Sequence, residues 1–203
     1  MSTELEELAR VASSCTKCRL SAGRTQVVWA DGSPDADLMF IGEGPGFHED
    51  KQGLPFVGAA GQLLDRLLGE IGLRRQDVYI CNVIKCRPPG NRDPLPDEVE
   101  SCRPYLEAQI RMVSPRIIVT LGNFATRFIL DRPVAISRVR GQRQVIGGRI
   151  VIPTYHPAAV LHGGGDASTP MRALREDLAA VRAILDEPPS AEETAASEQL
   201  GLF

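Results

Sequence analysis

Five cysteines, Cys15, Cys18, Cys81, Cys86 and Cys102, are the first residues whose spacing suggests chemistry. An odd number argues against a disulfide framework. Cys15-x2-Cys18 is a metal half-site, because a tight turn holds its two thiolates close together. No second C-x2-C follows, so the two-knuckle zinc ribbon pattern fails. Cys86 and Cys102 are separated by fifteen intervening residues across a Pro-rich loop, and complete a site only if the fold carries them to the N-terminus. Four soft thiolates at such dispersed spacing suit an iron–sulfur cluster or zinc. Cys81 sits within strand residues and reads as a small buried hydrophobe.

A second set of residues marks sharp breaks in the apolar pattern. Gly42-Glu43-Gly44-Pro45-Gly46 follows an apolar run. It lacks the Gly-Lys-Ser/Thr of a phosphate loop, Pro45 interrupts any dinucleotide fingerprint, and a helix is not expected at once. What it offers is bare backbone N–H groups for a planar ligand or an anion. Phe56 lies in a loop bounded by Gly53 and Gly58. There an aromatic serves either the core or as a stacking platform for a base. Asn82 ends an apolar run. Its amide matches the Watson–Crick edge of a pyrimidine, or else caps its own turn. His156, one of three histidines with His48 and His162, precedes Pro157 at another such end.

These residues need a scaffold that brings run ends together. Leu5, Leu8, Ala9 and Ala12 are at helical spacing, as are Leu63, Leu64, Leu67, Leu68 and Ile71. Residues 37–41, 78–84 and 116–121 read as strands. Residues 142–146 and 149–153 flank Gly147-Gly148, a hairpin signal. Asp97 is a natural N-cap for a helix reaching about Val113. A short helix is expected over 122–130, a flexible loop over 162–170, and a last helix from about Met171 to Leu185. Strands alternating with helices imply a mainly parallel sheet covered on both faces. Ligands then bind beyond the carboxyl ends of its strands.

Composition sets the class. The chain has 203 residues, 43% hydrophobic and 24% charged, which fits one globular domain. No apolar run approaches the ~18 residues of a membrane helix, and the N-terminus lacks the apolar core of a secretory signal. A cytoplasmic monomer is the expectation. Residues 186–203 hold five acids and no Lys or Arg, which turns the net −3 of the whole into +2 for residues 1–185. Two stretches, 74–92 and 132–149, are basic enough to meet phosphates, or are solvated faces.

Taken together, the motifs resemble one family. They are Gly42-Glu43-Gly44-Pro45-Gly46, Glu49-Asp50, Gly53-x-Pro55-Phe56-Val57-Gly58, Asn82-Val83-Ile84-Lys85-Cys86-Arg87-Pro88-Pro89 and His156-Pro157. Their order and spacing resemble the family 4 (iron–sulfur) uracil-DNA glycosylases over roughly residues 10–185. The resemblance implies an α/β fold, a three-layer α/β/α sandwich with a four-stranded, mainly parallel central sheet. It implies Cys15, Cys18, Cys86 and Cys102 as ligands of a 4Fe–4S cluster, with Cys81 outside the set. It also implies hydrolysis of the N-glycosidic bond of uracil in single- and double-stranded DNA, leaving an abasic site. Gly42, Glu43 and Gly44 would then line the uracil pocket, Phe56 stack on the extruded base, and Asn82 pair with its edge. His156 would stabilise charge growing on the base O2, and Glu49 would shape the pocket against a 5-methyl group. The related family 1 enzymes orient water with an Asp where this chain has Gly44. Glu43 or backbone carbonyls are left to do so.

The chain departs from the family after His156-Pro157, where residues 158–165 form a longer apolar and glycine-rich segment. Leu161 is its candidate wedge into the DNA stack. One relative of the family traps uracil-DNA covalently through a His on a basic insert, but Pro88–Asp97 holds no His. A metal module without chemistry is the other alternative, against which the intact Glu43, Asn82 and His156 set argues. Residues 187–199 carry no apolar side chain larger than Ala apart from the Pro188-Pro189 pair, and disorder is expected there. The chain ends Gln199-Leu200-Gly201-Leu202-Phe203. This pentapeptide resembles the bacterial sliding-clamp-binding motif, in which the Gln bonds at a rim and the Leu and Phe anchors fill a pocket.

Overall fold

The computed structural model describes residues 2–188. The sheet has six strands rather than four, in the order β1-β3-β2-β4-β6-β5. Its centre is the expected parallel set of four. These are β2 (Leu38–Gly42), β3 (Tyr79–Asn82), β4 (Ile117–Leu121) and β6 (Arg149–Thr154). Two antiparallel edges are added, β1 (Asp31–Gly32) and β5 (Gln144–Ile146). The second is the outer half of the Gly147-Gly148 hairpin. The first is two residues long, too short to carry any periodic signal.

The apolar runs form strands because both faces are buried. Leu38, Phe40, Ile80, Val119 and Ile152 point into one core, against α3 (Ala59–Glu70) and α8 (Thr169–Asp186). Met39, Ile41, Cys81, Ile118 and Val151 point into the other, with Leu5 of α1 (Ser2–Ser13), Leu106 of α4 (Pro96–Val113) and Ala125 of α5 (Gly122–Leu130). The period of two along each strand thus feeds two clusters, and the layers are α/β/α.

Three local readings are corrected. Helix α4 is capped at Leu95, not Asp97. Pro96 supplies a preset first helical position, and the buried Glu98 carboxylate accepts the Leu95 N–H at 2.8 Å while pairing with Arg92. Asp97 instead pairs with Arg19 at 2.9 Å. A helix does follow the glycine loop at once, α2 (Phe47–Gln52), capped by Gly46. Part of the expected loop is ordered too. A short α6 (Ile136–Val139) precedes β5, α7 (Ala158–His162) precedes a 3-10 turn at Gly165–Ala167, and Ser168 caps α8 by accepting the Met171 N–H.

Some residues of the basic stretches are engaged in pairs within the fold. Arg140 is bound to the buried Asp177 of α8, whose other oxygen accepts from Thr154 at 2.6 Å. That cluster fastens the end of β6 two residues before His156. Arg74 pairs with Asp77, Arg92 with Glu98, and Lys85 is buried.

Candidate active site

The carboxyl ends of the central strands open on a cleft of about 740 Å³. The chain steps from β2 to β3 on one side and then to β4 on the other, which makes the end of β2 a topological switch point. Gly42 lies there, paired in register with Asn82. A Cβ on Gly42 would stand 2.4 Å from Asn82 Oδ1 and 2.5 Å from Phe56 Cζ. The missing side chain is what lets the amide and the ring meet over the strand.

Phe56 is held in a left-handed backbone conformation, φ 54°, which costs a residue with a Cβ roughly 1–2 kcal/mol. Three contacts impose it. Arg75, anchored by Asp31 and by Asp65 at 2.9 Å, donates to the carbonyls of Pro55 and Phe56. Gly61 of α3 packs so tightly that a Cβ would fall 1.8 Å from the Phe56 carbonyl oxygen. Glu49 Oε1 accepts the N–H groups of Val57 and Gly58 at 2.9 and 2.8 Å. The ring then lies on His156 with centroids 5.6 Å apart and planes 28° apart. Phe56 belongs to the core and to the cleft wall at once.

Two groups in the cleft are set for a ligand. Asn82 is 2% exposed, yet its Oδ1 finds no donor among the described residues. An unsatisfied buried acceptor costs about 1–3 kcal/mol and calls for an explanation. Its main-chain oxygen is fixed by Lys85 Nζ at 2.6 Å. His156 Nδ1 accepts the Ala158 N–H at 3.2 Å, which leaves the proton on Nε2. Burial lowers the imidazole pKa to about 4, against an opposing pull from the Glu49 charge, so the ring is neutral at pH 7. Glu43, also on the wall, has its carboxyl pKa raised by burial and then by repulsion from Asp93.

A separate, small cavity of about 10 Å³ is lined by Cys15, Cys18, Cys86 and Cys102. The first two follow α1, the third lies in the loop after β3, and the fourth is on α4. Arg24 spans the group, donating to Cys15 O at 2.6 Å and to Cys86 Sγ at 3.4 Å. Burial pushes the Cys86 thiol up to about 11 and raises Cys102 as well. Among the described residues no three His, Cys, Asp or Glu side chains converge as ligands of one ion.

Residues 29–179 match the Uracil DNA glycosylase superfamily. The chain belongs to the uracil-DNA glycosylase superfamily. It is 45% identical over 193 residues to the type-4 uracil-DNA glycosylase of Sulfurisphaera tokodaii, covering 91% of this chain and 86% of that protein. It is 51% identical over 162 residues to the type-4 enzyme of Thermotoga maritima, covering 77% and 84%. The corresponding protein of Archaeoglobus fulgidus is 49% identical over 166 residues, covering 78% and 83%.

In this uracil-DNA glycosylase scaffold Glu43, Gly44, Glu49, Phe56, Asn82 and His156 all line the one cleft. Gly42 lies just beneath, under Asn82 and Phe56. Leu161 is 49% exposed on α7, whose Ala158 and His162 face the cleft. Sequence reasoning singled out neither His48 nor the wall made by Asn91, Arg92 and Asp93. The Pro-rich loop was the available signal, but only the topology shows that it folds over the cleft. Gln199, Leu200, Leu202 and Phe203 lie outside the described residues.

Proposed function

We propose that this glycosylase hydrolyses the N-glycosidic bond of uracil extruded from single- or double-stranded DNA, and that the cleft beyond Gly42 is where it does so. The observation that carries the reading is the unpartnered, buried Asn82 Oδ1 in the cleft that His156 also lines. Uracil presents an N3–H donor, which the Asn82 oxygen accepts, while the Phe56 ring stacks on the base. Extruding the base costs a few kcal/mol, offset by these contacts. As the bond breaks, its electron pair moves onto the base. His156 Nε2–H donates to the O2 where that charge collects. Water adds to the sugar C1′, and its proton neutralises the uracil anion. Glu43 holds that water, and Glu49 closes the wall where a 5-methyl group would project. Leu161 wedges into the duplex from its exposed place on α7.

Cys15, Cys18, Cys86 and Cys102 hold a 4Fe–4S cluster in this proposal. All four line one cavity, while Cys81 is buried elsewhere in strand β3. Arg24 and Lys85 beside them complement an anionic thiolate cluster. Held there, these four residues would tie the α1 turn, the loop after β3 and α4 together through the group, away from His156.

The cleft is complete within one chain, which supports action as a monomer. No described helix is long and apolar enough to cross a membrane, and residence in the cytoplasm with DNA goes with the proposal. The terminal Gln199, Leu200, Leu202 and Phe203 motif would recruit the enzyme to the replication sliding clamp. Binding of the full chain to the clamp, undiminished by Leu202→Ala with Phe203→Ala, would refute that recruitment.

The functional test uses an oligonucleotide with a single deoxyuridine, treated with alkali after incubation. Strand breaks at that position, and none with thymidine there, are expected. A gel-stable protein–DNA adduct would mean trapping instead, and neither product would leave a metal module without chemistry.

A further inference from the structure

Phe47 opens α2 at the rim of the cleft and is 44% exposed. It belongs to neither core cluster. Two cations from different parts of the chain nevertheless lie against its ring. Lys51 Nζ, one turn along α2, is 4.4 Å from the centroid, and the Arg87 guanidinium, from the loop after β3, is 5.1 Å away. His48 meets the ring edge-on at 5.4 Å and, like Phe47, lines the cleft. Arg87 is held toward this spot by donating to Asn91 Oδ1 at 2.7 Å. An exposed aromatic gains nothing in water, and neither cation has a carboxylate partner among the ion pairs of the described residues.

We propose that Phe47 is a stacking platform for a nucleobase of the substrate strand next to the extruded uracil, with Lys51 and Arg87 taking the flanking phosphates. The proposal rests on the uracil-DNA reading of the cleft and extends it outward along the strand. The occupant follows from continuity and charge. A strand that places one base beside Asn82 must run over the rim, and at this rim it meets one aromatic face and two cations. On binding, the cations leave the ring for the phosphates, and the uncovered ring takes the neighbouring base. Stacking of this kind is tolerant of sequence, because every base has a π-face. Phe47 lies on the α2 wall and Leu161 on α7, so the two act on different parts of the substrate.

Steady-state kinetics on a single-stranded deoxyuridine oligonucleotide test this. Phe47→Ala should raise KM about tenfold, the scale of one lost base stack, with the loss falling in KM rather than kcat. Phe47→Trp should keep the wild-type KM, and Phe47→Leu should behave as Phe47→Ala. Lys51→Gln with Arg87→Gln should flatten the salt dependence by about 1.4 in the log–log slope, at ~0.7 per phosphate contact on a single strand. Inhibition by free uracil should be unchanged in Phe47→Ala. A wild-type KM in Phe47→Ala or in Phe47→Leu would overturn the platform. So would an equal weakening of free uracil, which would put Phe47 inside the pocket. Failure of the wild type to release uracil would instead remove the functional reading, and this proposal with it.

Discussion

His156→Ala is expected to slow uracil release about a hundred- to a thousand-fold, the usual cost of removing one preorganised donor to developing negative charge. The effect should fall on kcat, because the charge on O2 exists only as the bond breaks. Asn82→Ala should lose activity as well, but with an unusual signature in stability. It removes a buried acceptor that has no donor in the folded protein, so its melting temperature should hold or rise while turnover falls. An Asn that served the fold alone would show the opposite. The pH dependence follows from the same site. The His156 pKa is lowered from 6.5 to about 4 by burial. The unfolded chain therefore takes up the proton first, and the stability this residue contributes is lost as pH falls from about 6.5 through about 4. Its donor function persists from pH 8 to 5. Single-turnover rates and thermal melts of the two variants across that range check both claims.

Cys102→Ala should bleach the protein and lower its melting temperature by about 10 °C, from a loss on the order of 3–5 kcal/mol at ~2–4 °C per kcal/mol. The reason is that the turn after α1, the loop after β3 and α4 bring their four cysteines to the lining of one small cavity. Without a bound group, buried thiols and the cations Arg24 and Lys85 are left facing each other. Cys81→Ala is the matched control. Cys81 is fully buried, but it packs among strand residues, so its loss leaves the visible absorption intact. Iron and sulfide analysis with a melting curve on anaerobically purified protein decides this. One zinc per chain in a colourless protein would contradict the cluster.

Much of the site was legible because its residues sit where apolar runs stop. Asn82 ends one strand and His156 follows another, both-face burial makes these runs unmistakable, and parallel strands align such ends on one edge. That Cys86 and Cys102 line one cavity with the N-terminal pair was not legible from their spacing alone, because it depends on α1 and α4 packing together. Arg75 shows the converse limit. It read as part of a basic stretch, yet it is an internal clamp on the Phe56 backbone. Charge composition cannot tell a phosphate contact from an arginine bound to two carbonyls and two carboxylates. The cap of α4 failed similarly, since Pro96 and Glu98 outweighed the intrinsic preference of Asp97. The edge strand Asp31–Gly32 is defined by its partner alone.

In this proposal Asn82 and a neutral His156 together recognise uracil. Nuclear magnetic resonance of side-chain nitrogens during titration with free uracil at pH 7 should show saturable shifts of the Asn82 amide and of a protonated His156 Nε2, with thymine producing neither. Equal shifts with thymine, no shift at Asn82, or an imidazole already doubly protonated at pH 7 would contradict it.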